Sequence, residues 1–278
     1  MKINLFLIDF SAELLGFKHH IPAFAATFNT SVDILTGVNY ASGSAGILEE
    51  TGKHLGTNID LDRQLENHKI IVDGITELLK NQNLSPAMYL NKCLYSVGMG
   101  NNDYLNNYFM PKLYSTSYHF TPDQYATILV DQYSQQLRRL YNYGARKVAV
   151  FALGKIGCIP FSLATHDTKG SFCVDEMNSA AELFNKRLKL LVDQLNRDLV
   201  DAKFSFLNPD PPIDGFTVFA KGCCEVSEIG QCIPWQIPCS NREEYVFWDS
   251  FHPTEAMNRL MANLSYNVIT ASYALSSK

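Results

Sequence analysis

Short β-type runs alternate with longer amphipathic stretches along most of this chain. Four runs predict strands: Gly37-Val38-Asn39-Tyr40-Ala41, Cys93-Leu94-Tyr95-Ser96-Val97, Lys147-Val148-Ala149-Val150-Phe151-Ala152 and Lys203-Phe204-Ser205-Phe206-Leu207. The third is unbroken in β-branched and aromatic residues, as a strand buried on both faces requires. Between the runs, apolar residues recur at helical spacing. Leu61, Leu65, Val72, Ile75 and Leu79 form one stripe. A second helix opens on Thr121-Pro122-Asp123-Gln124, a capping box with proline at the first helical position. It continues through Tyr125, Ile128, Leu129, Tyr133, Leu137 and Leu140, and Gly144 is placed to end it. A third carries Phe184, Leu188, Leu191, Leu195 and Leu199, and a fourth, opened by Pro253, carries Met257, Leu260 and Leu264. Strands alternating with helices predict an α/β domain with a parallel sheet, and the stripes read as its core faces.

The ends break the pattern. Residues 9–15 begin in the middle of a helix-like stretch with no strand leading into it. A doubly wound sheet built from these runs therefore lacks its first central strand, and residues 1–278 read as one incomplete domain. Residues 1–8 have a faint signal-peptide character, but Asp9 ends the apolar run too early for one and no small-residue cleavage site follows. They read as the stub of a helix, with no recognisable signal peptide. After the fourth run comes Asn208-Pro209-Asp210-Pro211-Pro212, where a helix would be due.

With 46% hydrophobic and 18% charged residues in 278, the composition is that of a globular chain able to bury a large core. A net charge of −5 offers no basic patch for nucleic acid, and no stretch of 18 apolar residues is present to span a bilayer. Seven cysteines change the picture further. Cys223, Cys224, Cys232 and Cys239 crowd one loop-rich stretch without a C-x-x-C or an accompanying histidine, which disfavours zinc. Spacing predicts instead a Cys158–Cys173 bridge, pairing of the cluster within itself, and a buried, unbridged Cys93. With the sequons Asn29-Thr30-Ser31, Asn83-Leu84-Ser85 and Asn263-Leu264-Ser265, this pattern suits an oxidising, secretory compartment.

Three places carry candidate chemistry. Asp249-Ser250-Phe251-His252-Pro253 sets a carboxylate three residues before an imidazole. Folded as a tight turn, Asp249 would fix the tautomer of His252 so that the other ring nitrogen serves as general base; alternatively, both residues merely cap the helix after Pro253. Gly100-Asn101-Asn102-Asp103 follows directly on the second strand, at the edge where open α/β sheets meet ligands. The Asn102 amide there suits an oxyanion donor, and an Asx-rich turn explains the same residues. Ala41-Ser42-Gly43-Ser44-Ala45-Gly46 follows the first strand, with Gly43 placed to offer a backbone N–H, or simply to make a turn. No G-x-G-x-x-G and no G-K-[ST] supports nucleotide binding.

Taken together, Gly43 in Asn39-Tyr40-Ala41-Ser42-Gly43, Gly100-x-Asn102-Asp103 and Asp249-x-x-His252-Pro253 resemble the second, third and fifth blocks of GDSL (SGNH) esterase/lipases. Tyr95 to Tyr104, Tyr143-Gly144-Ala145-Arg146-Lys147, Gly157-Cys158 and Phe247-Trp248-Asp249 resemble the plant branch of that family. The resemblance implies a three-layer α/β/α, flavodoxin-like fold and a secreted hydrolase of carboxylic esters, acyl lipids or acylated small molecules, with neither metal nor cofactor. It implies His252 as general base, Asp249 as its orienting acid, and Gly43 and Asn102 as oxyanion donors. The family's first block, Gly-Asp-Ser-Leu, has no counterpart in this sequence, whose only Asp-Ser pair is Asp249-Ser250. Ser44 lies near the right loop but outside a G-x-S-x-G elbow. On this reading the chain alone lacks its nucleophile, and it is either an impaired esterase, a non-catalytic ester-binding relative, or an unstable fragment.

Overall fold

The computed structural model describes residues 7–28, 32–208 and 211–273. Its centre is a parallel sheet of β1 (Leu94–Val97), β2 (Lys147–Phe151) and β3 (Lys203–Leu207), in that order. Among the described residues the helices are α1 (Leu7–Leu14), α2 (Leu61–Asn81), α3 (Pro86–Leu90), α4 (Asn101–Asp103), α5 (Thr116–His119), α6 (Pro122–Asn142), α7 (Pro160–Thr165), α8 (Asp175–Asp198) and α9 (Glu255–Tyr273). A separate parallel pair, β4 (Val218–Gly222) and β5 (Tyr245–Phe247), lies outside the main sheet.

Alternation along the strands sorts the layers. Val148 and Val150 of β2 and Phe204 of β3 join one core with Leu65 of α2, Tyr133 and Leu137 of α6, and Phe184 and Leu188 of α8. Ala149, Phe151 and Leu207 turn the other way, against Ile269 and Tyr273 of α9. α1 packs behind, on α9. The result is three layers, with both faces of β2 buried as its unbroken apolar run requires. Each large side chain so buried contributes about 1.5–3 kcal/mol. The outer edge of β1 carries no partner strand among the described residues.

The capping box of α6 forms as its residues dictate: Gln124 N–H donates to Thr121 Oγ1, and Thr121 N–H to Gln124 Oε1 at 2.9 Å. Gly144 ends that helix with φ 107°, a value few side chains tolerate. Two expectations need correction. Residues 37–41 form no strand: Asn39 makes one isolated parallel bridge, to Ala23. With no neighbouring ladder to join, the segment instead packs Val38 and Tyr40 onto α2, the Tyr40 hydroxyl lying 3.0 Å from His68 Nδ1. The last helix starts at Glu255, not at Pro253. Thr254 caps it, accepting from Met257 N–H, while Pro253 is bridged to Phe247.

The bridges are Cys158–Cys173, Cys223–Cys239 and Cys224–Cys232, with Cys93 unbridged but half-buried rather than buried. Sulfurs engaged in this way cannot hold zinc. Asn83 and Asn263 are exposed, and the sequon at Asn29 lies outside the described residues. So do residues 1–6 of the apolar start and Pro209-Asp210 of the proline-rich segment; beyond it, no helix intervenes before β4.

Candidate active site

Asp249 and His252 meet because the chain after β5 folds into a closed turn. Asp249 Oδ1 accepts from the backbone N–H groups of Phe251 and His252, at 2.8 and 2.7 Å. Its Oδ2 lies 2.8 Å from His252 Nδ1. Trp248 N–H donates to the His252 carbonyl at 2.7 Å, closing the loop. The carboxylate is thus spent on the turn and the imidazole, and Thr254 does the capping, so the helix-cap alternative falls. With Nδ1 tied to a carboxylate, the proton sits on Nδ1 and Nε2 carries the basic lone pair.

Neighbouring segments clamp the turn. Ser250 N–H donates to the Gly230 carbonyl, and the Ser250 carbonyl accepts from Phe161 N–H at the start of α7. Phe161 and Phe251 rings lie 4.7 Å apart. Since α7 follows the carboxyl end of β2, the turn is anchored at that end of the sheet. A cleft of about 300 Å³ opens there, lined by Gln231, Cys232, Trp248, Asp249, His252, Pro253 and Asn258.

A close backbone approach comes from β4. A Cβ on Gly222 would stand 2.8 Å from the Asp249 carbonyl oxygen and 2.9 Å from its Cα. Backbone cannot yield as a side-chain tip would, so Gly222→Ala is expected to push the turn away and loosen the Asp249–His252 bond. The His252 titration midpoint, followed by NMR, should then fall toward 6.5; an unchanged midpoint would show that β4 does not set the turn.

The pair's electrostatics are reciprocal. Burial by itself raises the Asp249 pKa, but the His252 hydrogen bond and charge, with the two backbone donors, outweigh it and hold the group below 3.8. The Asp249 hydrogen bond holds His252 above 6.5, against partial desolvation. Asp249 therefore adds stability above its unfolded value, lost as pH falls through the folded one. His252 adds stability below 6.5, lost as pH rises through its folded value. Both contributions are complete only between about pH 4 and 6.5. The melting-temperature gap between the parent and Asp249→Asn should be widest there and narrow on either side; a gap constant with pH would deny the linkage.

Gly43 and Asn102 occupy a second cluster, at the carboxyl end of β1. Asn102 Nδ2 donates to the Ala45 carbonyl at 2.9 Å, while its Oδ1 accepts from Asn106 Nδ2 at 2.8 Å. Gly43 is exposed, with nothing within 4 Å of where a Cβ would stand. Sequence reasoning gave no role to the residues beneath this loop. Asp103, fully buried, accepts from Ile47 N–H, Leu48 N–H and Thr51 Oγ1 at 2.8, 3.1 and 2.8 Å. Burial pushes its pKa up to about 6, against the pull of those hydrogen bonds. Asn58 Nδ2 donates to the Thr51 carbonyl at 2.9 Å, and Gly52 N–H to the Asn106 carbonyl. The run Asn101-Asn102-Asp103, followed by Asn106-Asn107, was the available signal: that many short polar side chains in one segment need partners once buried. Gly222 left no such signal.

The family model for GDSL-like lipases/acylhydrolases matches residues 3–265. This chain belongs to that family. Two GDSL esterase/lipases of Arabidopsis thaliana are 49% and 47% identical to it, over 96% and 94% of this chain and 76% and 74% of their own length. A third from the same plant is 45% identical over 96% of the chain and 76% of its own. No helix among the described residues is long and apolar enough to cross a membrane.

Proposed function

We propose that this family member is the body of a serine-type carboxylic ester hydrolase, acting on acyl lipids or other small-molecule esters through an acyl-enzyme. The Asp249–His252 pair at 2.8 Å carries the reading. His252 Nε2 would take the proton of an attacking serine hydroxyl and return it to the leaving alcohol, while Asp249 steadies the imidazolium. The Gly43 N–H and the second N–H of the Asn102 amide would receive the carbonyl oxygen as it gains charge. The first N–H of that amide is held by Ala45, which aims the group. The parallel topology supports convergence of the two clusters, since Asn102 follows the carboxyl end of β1 and the Asp249–His252 turn is bonded to α7, which follows the carboxyl end of the adjacent β2. No step calls for a metal or cofactor. The three disulfides favour a secreted enzyme.

The nucleophile is the part this sequence does not supply, for it holds no Gly-Asp-Ser-Leu block. That observation favours a second reading for the chain acting alone, an ester-binding protein without turnover. A fluorophosphonate probe separates the two. The chain bearing a Gly-Asp-Ser-Leu strand ahead of residue 1 is expected to be labelled at that serine, and His252→Ala to prevent it. Labelling indifferent to His252 would remove the imidazole from its assigned role.

A further inference from the structure

The loop that walls the cleft has an outer face that the chemistry above does not use. Gln231 and Cys232 line the cleft beside His252, and the Gly230 carbonyl accepts from Ser250 N–H within the catalytic turn. Just beyond, Trp235 and Ile237 are 94% and 93% exposed, and Ile229 and Val226 are exposed as well. Cys224–Cys232 and Cys223–Cys239 tie the loop down on both sides of Trp235. Cross-links so close leave little freedom to turn these side chains inward, and Trp235 is held with φ 70°. Trp235 is three residues from Cys232, so it stands within about 10 Å of the cleft wall. A large indole and an isoleucine presented together on a cross-linked loop mark a contact surface rather than scattered surface apolarity.

The charges choose the partner. Residues 223–239 contain Glu225 and Glu228 and no lysine or arginine. Such a surface is repelled by anionic lipid and by acidic proteins, and it lacks the basic collar that binds phosphate-rich membranes. An apolar tip with a weakly acidic rim suits an uncharged or zwitterionic interface, where tryptophan is at home at headgroup level.

We propose that residues 226–237 dock this protein on a zwitterionic lipid surface, with Trp235 and Ile237 entering it beside the His252 cleft. The loop would then deliver acyl esters from that surface to the cleft without crossing water. Only this delivery step rests on the esterase reading; docking itself does not.

The test is partition of the full chain into phosphatidylcholine vesicles, read by flotation and by tryptophan emission. The chain has two tryptophans, so Trp248→Phe leaves Trp235 as sole reporter. Its emission is expected to shift to the blue with vesicles. Trp235→Ser combined with Ile237→Ser should lower partition at least about tenfold, given the apolar area withdrawn. Trp235→Phe, which keeps an aromatic ring, should retain most of it, and near-ultraviolet circular dichroism would confirm that each variant is folded. Replacing a third of the lipid by phosphatidylglycerol should weaken binding at low salt. The proposal is overturned if the parent does not partition, if the double variant partitions equally, or if anionic lipid strengthens binding. A Trp235-dependent dimer in light scattering, without vesicle binding, overturns it in favour of self-association. In the chain preceded by a Gly-Asp-Ser-Leu strand, vesicle binding without ester hydrolysis supports docking and strikes the esterase reading; hydrolysis of a soluble ester without vesicle binding does the reverse.

Discussion

The 278-residue chain, purified alone, is expected to hydrolyse a short p-nitrophenyl ester at least about 10³-fold more slowly than the same chain preceded by a Gly-Asp-Ser-Leu strand. A general base accelerates acyl transfer by making a held hydroxyl nucleophilic, and a water in the same cleft is a poorer, unpositioned substitute. Neither Ser250 nor Ser44 is placed as a held nucleophile. Ser250 lies buried inside the turn it helps to close, its backbone bonded to Gly230 and Phe161. Ser44 has φ 58° and donates its hydroxyl to the Gly43 carbonyl at 2.7 Å. An added strand also has a place to pair, the outer edge of β1. In the completed chain, His252→Ala should return the rate to that of the short one. Equal rates from the two chains, both abolished by His252→Ala, would mean that another nucleophile serves.

Asp103→Ala is expected to lower stability by about 3 kcal/mol, a fall of roughly 6–12 °C in melting temperature for a domain of this size. The carboxylate accepts from Ile47 N–H, Leu48 N–H and Thr51 Oγ1, and truncation strands three donors in the interior. Gly46 shows how tightly the loop wraps it, since a Cβ there would stand 2.5 Å from Asp103 Oδ1. The loss should also reach the proposed oxyanion donors, because residues 45–51 and Asn102 hang on the same network. Calorimetry at neutral pH checks the first effect. In the completed chain, a fall in kcat beyond that of an equally destabilising core substitution such as Leu188→Ala checks the second. A variant as stable as the parent would show that the buried carboxylate is merely tolerated.

Where local chemistry decides, the sequence was legible. Thr121-Pro122-Asp123-Gln124 forms its capping box whatever surrounds it, because the donors and acceptors lie within one turn. The unbroken run from Lys147 to Phe151 could only be a strand buried on both faces. Asp249 and His252 are three residues apart, so their hydrogen bond needs little more than the turn itself. The Cys158–Cys173 bridge, over a separation of 15 residues, was within reach of the same reasoning.

Residues 37–41 look like a strand and are not one, because strand character is completed by a neighbour's ladder and Asn39 finds only Ala23. β4 and β5 escaped notice for the converse reason, their short runs gaining strand geometry only from each other. Gly222 matters because Asp249, 27 residues later, arrives against it, and no local pattern announces that approach. The sequence by itself determined the α/β alternation, the family and the Asp249–His252 turn, all of which rest on short-range spacing. Tertiary structure alone decided which loops clamp that turn, which buried carboxylate holds residues 47–51, and which apolar side chains stay in water. Those depend on contacts between residues tens of positions apart, whose partners are chosen only when the layers close.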